Sequence, residues 1–286
     1  MSNVIPFSSS RDQAARPELH LSGPKLRAAM QKLIAAAEQV GGIENYAEAV
    51  KLKSGIFQNF MGEGRAAGME LADFEQTVAF MSTVRRRIAK SLEAVSWHEL
   101  RLLIAALLDG AEAPGSADQR ITAFVEAFPQ DKSHRFIRDL AAEILHNVLP
   151  EHYPLMNRWV WDAKANTGVI REIWHGDNVD HIVIDVADSH ETFLVLREEL
   201  SQFLSENGIY RDMLWYVDLL CGQIYGDYIN AQGGTFLRTD FASEADPLEQ
   251  SRRILGLDGV DPRSGRSRFK TISGKAHKID TVKQLN

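Results

Sequence analysis

The chain has one cysteine, Cys221, among 286 residues. A lone thiol excludes an internal disulfide and a cysteine-based zinc site. Set in the apolar run LWYVDLLCGQIYG, it reads as a small buried hydrophobe. No run of about 18 apolar residues occurs, so no transmembrane helix is expected. The opening stretch, MSNVIPFSSSRDQAARPELHLSG, has no apolar core of the secretory type, and residues 1–22 read as a flexible polar arm. A Gly-rich phosphate loop, a G-x-S-x-G nucleophile elbow, an internal repeat and a low-complexity tract are all missing. Without disulfides, signal or span, the cytoplasm is the expected compartment and no membrane partner is expected.

What is present is an ordinary globular composition, 44% apolar and 25% charged, enough to bury a core and to fill about two domains. The net charge of −7 is unevenly spread. Residues 251–286 hold nine Lys/Arg against three Asp, a net of +6, which leaves −13 for residues 1–250. The acidic body argues against a chain that coats nucleic acid along its whole length. The basic end, 241–286, reads as a partly disordered tail able to dock electrostatically on an acidic partner.

Helical periodicity dominates. Leu26, Met30, Leu33, Ile34 and Ala37 share one helix face. Residues 72–94 read as a helix with Phe74, Val78, Met81, Ile88 and Leu92 inward and Arg85-Arg86-Arg87 mostly outward. Residues 97–109 form a strongly apolar helix. Gly110 to Gly115 is the best linker. Helices follow at 117–128 and 133–148, the second with Ser133 as N-cap and Pro150 past its end. One or two helices are expected within 153–174. HIVIDV, residues 181–186, is the one clear strand candidate. Asp188 and Glu191 stand at capping-box spacing before helices at about 190–206 and 210–230. The expected fold is mainly α and multi-helical, with a helical domain at 23–110 and a larger one at 116–240 carrying one short strand or small sheet.

Residues 25–65, KLRAAMQKLIAAAEQVGGIENYAEAVKLKSGIFQNFMGEGR, outline two short helices around a Lys53-Ser54-Gly55 turn. Ala47 is small where such helices cross, and Val50, Leu52, Phe57 and Phe60 are apolar on the facing sides. The segment resembles the helix-turn-helix of Cro and repressor-type DNA-binding proteins over about 41 residues. It departs from them at Lys51, where glycine is usual. The resemblance implies that Ser54, Gln58 and Asn59 face bases while Lys53 and Arg65, with Lys51, hold phosphates. The segment nets only +2, so a DNA-binder of this kind would act as a homodimer. A plain three-helix packing unit is the alternative. Arg85-Arg86-Arg87 with Lys90 offers a second phosphate contact or a solvated helix face.

Six of the nine histidines lie between 134 and 190. In WHGDNVDH, His175, Asp177, Asp180 and His181 fall close together, and His175, Asp177 and His181 would be the catalytic groups if the protein were an enzyme, joined by His146 or His152. Turn chemistry explains the same aspartates, and no metal site is assigned. YPLMNRWVWD, residues 153–162, could stack a base or another planar ligand, with a core-facing aromatic helix as the alternative. No cofactor is indicated. The leading expectation is a DNA-binding regulatory protein whose second domain takes a ligand or partner. A non-catalytic accessory protein using its basic tail, and an enzyme of the His/Asp kind, are the alternatives.

Overall fold

The computed structural model describes residues 16–38, 41–176, 178–233 and 248–259. Eleven α-helices follow one another there: α1 Gly23–Glu38, α2 Ile43–Met61, α3 Leu71–Val78, α4 Ile88–Ala94, α5 Trp97–Leu108, α6 Ala117–Glu126, α7 Phe136–Val148, α8 Val169–Glu172, α9 His190–Glu206, α10 Met213–Gly233 and α11 Glu249–Ile254. None of them is long and apolar enough to cross a membrane.

The protein is mainly α-helical. Two long helices organise the packing. In α7 every side chain except Arg138 is buried, because α2, α5 and α6 all lie against it. Helix α10 is enclosed by α1, α2, α8, α9 and α11. One continuous apolar cluster runs from Leu26 to Leu257 through both. Residues 110–115, expected to separate two domains, do not separate two cores: α5 precedes them, α6 follows them, and the two pack together.

Local side-chain chemistry explains some helix starts. Ser96 Oγ accepts from the Glu99 amide while the Glu99 carboxylate accepts from the Ser96 amide, closing a capping box on α5. The α9 cap is Ser189, which accepts from the Thr192 amide, rather than the expected Asp188 with Glu191. For α7 the N-cap position falls to Arg135. Ser133 lies ahead of it, in a turn held by Asp131 Oδ1.

Three expected elements come out differently. Residues 72–94 are two helices, α3 and α4, joined by turns over 79–87. Residues 153–168 contain no helix. The Asn157 carbonyl and the Asp162 side chain instead satisfy the backbone locally, through Val160, Trp161 and Ala165 amides. The expected strand at 181–186 is not a strand: Val179–His181 is a 3-10 turn, residues 182–186 have no ladder partner among the described residues, and Val183 is 80% exposed. Among the described residues, bridges occur only as the isolated pairs Leu21–Trp174 and Asp162–Thr167.

Helix α11 is pinned by the residues that follow its C-terminal end. Arg85 makes a two-pronged ion pair with Asp258, 2.8 and 2.9 Å, so Arg85 is interior and not on the outward face expected of it. Gly256 sits at φ +77, where a Cβ would meet the Phe80 carbonyl oxygen at 1.7 Å. Only glycine satisfies both conditions there.

Candidate functional site

The turn expected at Lys53-Ser54-Gly55 does not form, because α2 is one helix of 19 residues. No proline interrupts it, and a lone glycine inside a helix costs only about 1 kcal/mol. Continuity turns Lys53 and Ser54 inward, 4% and 1% exposed. Lys53 Nζ donates to Glu143 Oε2 at 2.9 Å and to the Leu255 carbonyl at 3.0 Å. Ser54 Oγ donates to the Asn147 carbonyl at 2.7 Å. Glu143 also accepts from Asn147 and Asn157. The pair therefore forms a polar link joining α2, α7 and α11, and neither residue can reach a nucleic acid.

The other residues of that expected site part company. Asn59 is exposed, while Gln58 is half-buried and donates to Ser54 Oγ. Arg65 turns back as a C-terminal cap on α2, donating to the Asn59 and Gln58 carbonyls at 2.8 Å each and to Glu63 at 2.6 Å. Gln58 and Arg65 line a cleft of about 690 Å³ between the ends of α2 and α5. Glu63, Asp109 and Glu112 line it too, giving it an acidic rim that repels a polyanion.

The histidines also separate. Asp177 lies outside the described residues, and His175 and His181 are both exposed. Among the described residues no three His, Cys, Asp or Glu side chains are grouped to hold a metal. His190 Nε2 bonds to the His152 carbonyl. His146 is the chemically arresting one. Its Nδ1 faces the Tyr153 carbonyl and its Nε2 faces Asp218 Oδ2, each at 2.9 Å. Both partners are acceptors, so both ring nitrogens carry protons. Burial disfavours that charge, but the Asp218 carboxylate and the Tyr153 carbonyl outweigh it and hold the imidazole above its usual value. An imidazolium with both protons engaged is not a free general base. Next to it lies a void of about 20 Å³, lined in part by Asp218 and Cys221, room for one water. Burial pushes the Cys221 thiol far up, so it is not a nucleophile.

The aromatic stretch 153–162 is mostly consumed by structure as well. Arg158 clamps Asp139, with Nη2 to Oδ2 at 2.7 Å. Asp162 pairs with Arg135. Trp161 is fully buried and donates to the Val186 carbonyl. Trp159 opens onto a second pocket, larger than the void beside His146.

That pocket, of about 360 Å³, lies where α10, α11 and residues 82–83 meet. Trp159, Tyr225 and Ile229 form one side, and Gln250, Arg253 and Ile254 another. The Trp159 and Tyr225 rings stand 5.6 Å apart at 38°, and Tyr225 and Tyr228 stand 5.6 Å apart at 31°. Burial pushes the Tyr225 hydroxyl up, with Tyr228, Glu172 and Asp139 adding to the effect against Arg158. Two lining residues hold buried polar atoms with no hydrogen-bond partner, Trp159 Nε1 and Thr83 Oγ1. Both atoms are sealed from solvent and lie beneath the pocket's surface. Arg253 is exposed at the pocket, and Arg86 and Arg87 are exposed three or four residues along the chain from Thr83. None of these three guanidinium groups has an ion-pair partner among the described residues. Arg252, beside them, is already engaged.

Three signals distant in the sequence thus converge: the 85–90 cation run, the 153–162 aromatic stretch and the start of the basic tail. No sequence periodicity links them. The contact depends on α11 docking beside residues 79–85, which only the tertiary structure reveals. The rest of the expected tail, 241–247 and 260–286, lies outside the described residues.

No family model matches this chain, and neither the curated proteins nor the solved structures contain a match to it.

Proposed function

We propose that this protein binds nucleic acid, and that it does so at the face built by α11, the end of α10 and residues 82–87 rather than along α2. The observation that carries this is an unpaired cation at an aromatic pocket, Arg253 with Trp159 and Tyr225, with the exposed Arg86 and Arg87 three and four residues along the chain from the lining residue Thr83. Arginine supplies phosphate contacts and aromatic rings supply stacking surface. The chain leaves this face at Gly259 into residues 260–286, which hold seven Lys/Arg and two Asp. The acidic remainder of the protein confines binding to this side.

The test is fluorescence anisotropy with the full chain, using labelled duplex and single-stranded oligonucleotides from about 50 mM to about 300 mM salt. Affinity is expected to fall steeply with salt. The triple variant Arg86→Glu, Arg87→Glu, Arg253→Glu is expected to bind at least about tenfold more weakly at low salt, with a salt slope reduced by about three. No binding of either nucleic acid at about 50 mM salt would rule out the function. Unchanged binding by the triple variant would move the interface elsewhere.

A further inference from the structure

The pocket at this face has a shape and chemistry that select among nucleic acids. We infer that it holds one unpaired base, so the strand this face prefers is single or locally unpaired. The inference rests on the nucleic-acid reading above and adds the identity of what enters the pocket.

The first ground is size. A pocket of about 360 Å³ lies within the range of small-ligand sites, and Trp159, Ile229 and Ile254 wall it. A base inside a duplex is stacked on both faces and cannot enter such a recess without leaving the stack. An unpaired base can. The second ground is the aromatic floor. Trp159 is 6% exposed and therefore fixed, while Tyr225 is half-buried and presents ring surface. Tyr228 packs on the far side of Tyr225 and props it. Every base has a π-face, so this surface retains a base without choosing a sequence.

The third ground is the polar lining. The half-buried Gln250 amide offers a donor and an acceptor at the pocket. A nucleobase carries acceptors and donors on its edges and meets such a group, whereas a purely aliphatic or aromatic occupant leaves it without a partner. Arg253 lies at the same pocket for the adjoining phosphate. Nothing in this set distinguishes ribose from deoxyribose, so the shared occupant is an unpaired base with its phosphate.

The experiment uses the full chain and three labelled oligonucleotides of one sequence: single-stranded DNA, single-stranded RNA and duplex DNA. Wild-type protein is expected to bind at least one single strand about tenfold tighter than duplex, the scale that one stacked base supplies. A 2-aminopurine placed in that strand is expected to change its emission on binding. Tyr225→Ala is expected to reduce single-strand affinity to the duplex level while leaving duplex affinity unchanged, and Tyr225→Phe, which keeps the ring, is expected to behave as wild type. Should Tyr225→Ala fail to fold, Tyr228→Ala and Gln250→Ala report the same loss in part. Equal affinity for single strand and duplex in the wild type, or a Tyr225→Ala variant with its preference intact, overturns the base pocket and leaves the general nucleic-acid function standing. Absence of any binding overturns both.

Discussion

Two regions of this molecule are built from the same residue types and use them in opposite ways. Inside, Lys53 meets Glu143, His146 meets Asp218, Arg158 meets Asp139 and Arg85 meets Asp258, each at 2.7–2.9 Å. Outside, at the α11 face, Arg86, Arg87 and Arg253 have no carboxylate partner among the described residues, and Trp159 has an indole N–H with nothing to donate to. Charge that is buried and matched serves the fold. Charge left open beside unmet polar atoms is free for a ligand. A histidine–aspartate pair or a buried lysine looks catalytic as a residue type, but once its hydrogen bonds are counted it is a structural joint.

The contrast can be broken most forcefully from the inside. Lys53→Ala strands a carboxylate that is 1% exposed and removes the tie from α2 to α11. Loss of one partner of a buried ion pair costs about 3–5 kcal/mol, measurable by urea unfolding. A change under about 1 kcal/mol, the size of an exposed pair, would show that Lys53 is solvated. The replacement of both partners, Lys53→Met with Glu143→Leu, is expected to recover much of that loss.

The histidine pair gives a pH signature of known sign. The folded-state value of His146 is raised above the ordinary 6.5. The stability it contributes is therefore fully present below about pH 6.5 and is lost as pH rises through the raised value. Unfolding free energies measured from about pH 6 to about pH 9 should decline across that window. Asp218→Asn should lower stability at the acid end and flatten the decline. A profile that rises with pH would mean the imidazole is neutral when folded.

Gly55 sharpens the contrast on a smaller scale. It is exposed, helical, and has nothing within 4 Å of a built Cβ. In a continuous helix Gly55→Ala should stabilise by about 0.5–1 kcal/mol. In a helix-turn-helix turn the same change would destabilise, so the sign alone decides between the two. At the α11 face the effect on folding should be smallest of all. Arg86→Glu with Arg87→Glu should shift stability by no more than about 0.5 kcal/mol, as expected where no native contact is lost. A larger loss in thermal unfolding would mean these arginines are already paired and would weaken the case for a free binding face.

The helical character of the chain was legible because its signals are local. The α5 segment runs Trp97–Leu108 against an expected 97–109, and α9 and α10 fall where periodicity put them. The failures have a common cause in tertiary partners that sequence spacing does not show. A lysine and a serine at the expected turn are polar enough to read as a break, but Glu143 lies 90 residues away and Asn147 93, and they make a buried continuation favourable. HIVIDV has the alternation of a strand and, among the described residues, no second strand to pair with. At the candidate site the ingredients were visible singly, as a cation run, an aromatic stretch and a basic tail. Their meeting was not, because it depends on Gly256 admitting the Phe80 carbonyl and on Arg85 turning inward to Asp258.

The lone thiol adds a practical consequence. Cys221 is 2% exposed, beside the His146–Asp218 pair in the middle of α10, and burial keeps it protonated. It is chemically silent while the helix stays packed and reactive once the helix swings clear. Trapping by an excess of disulfide reagent thus clocks the opening of the molecule's central helix, residue by residue resolved to one atom, in a native chain that needs no label. Comparing that clock with and without bound oligonucleotide would show whether a ligand at the α11 end of α10 slows motion at its middle.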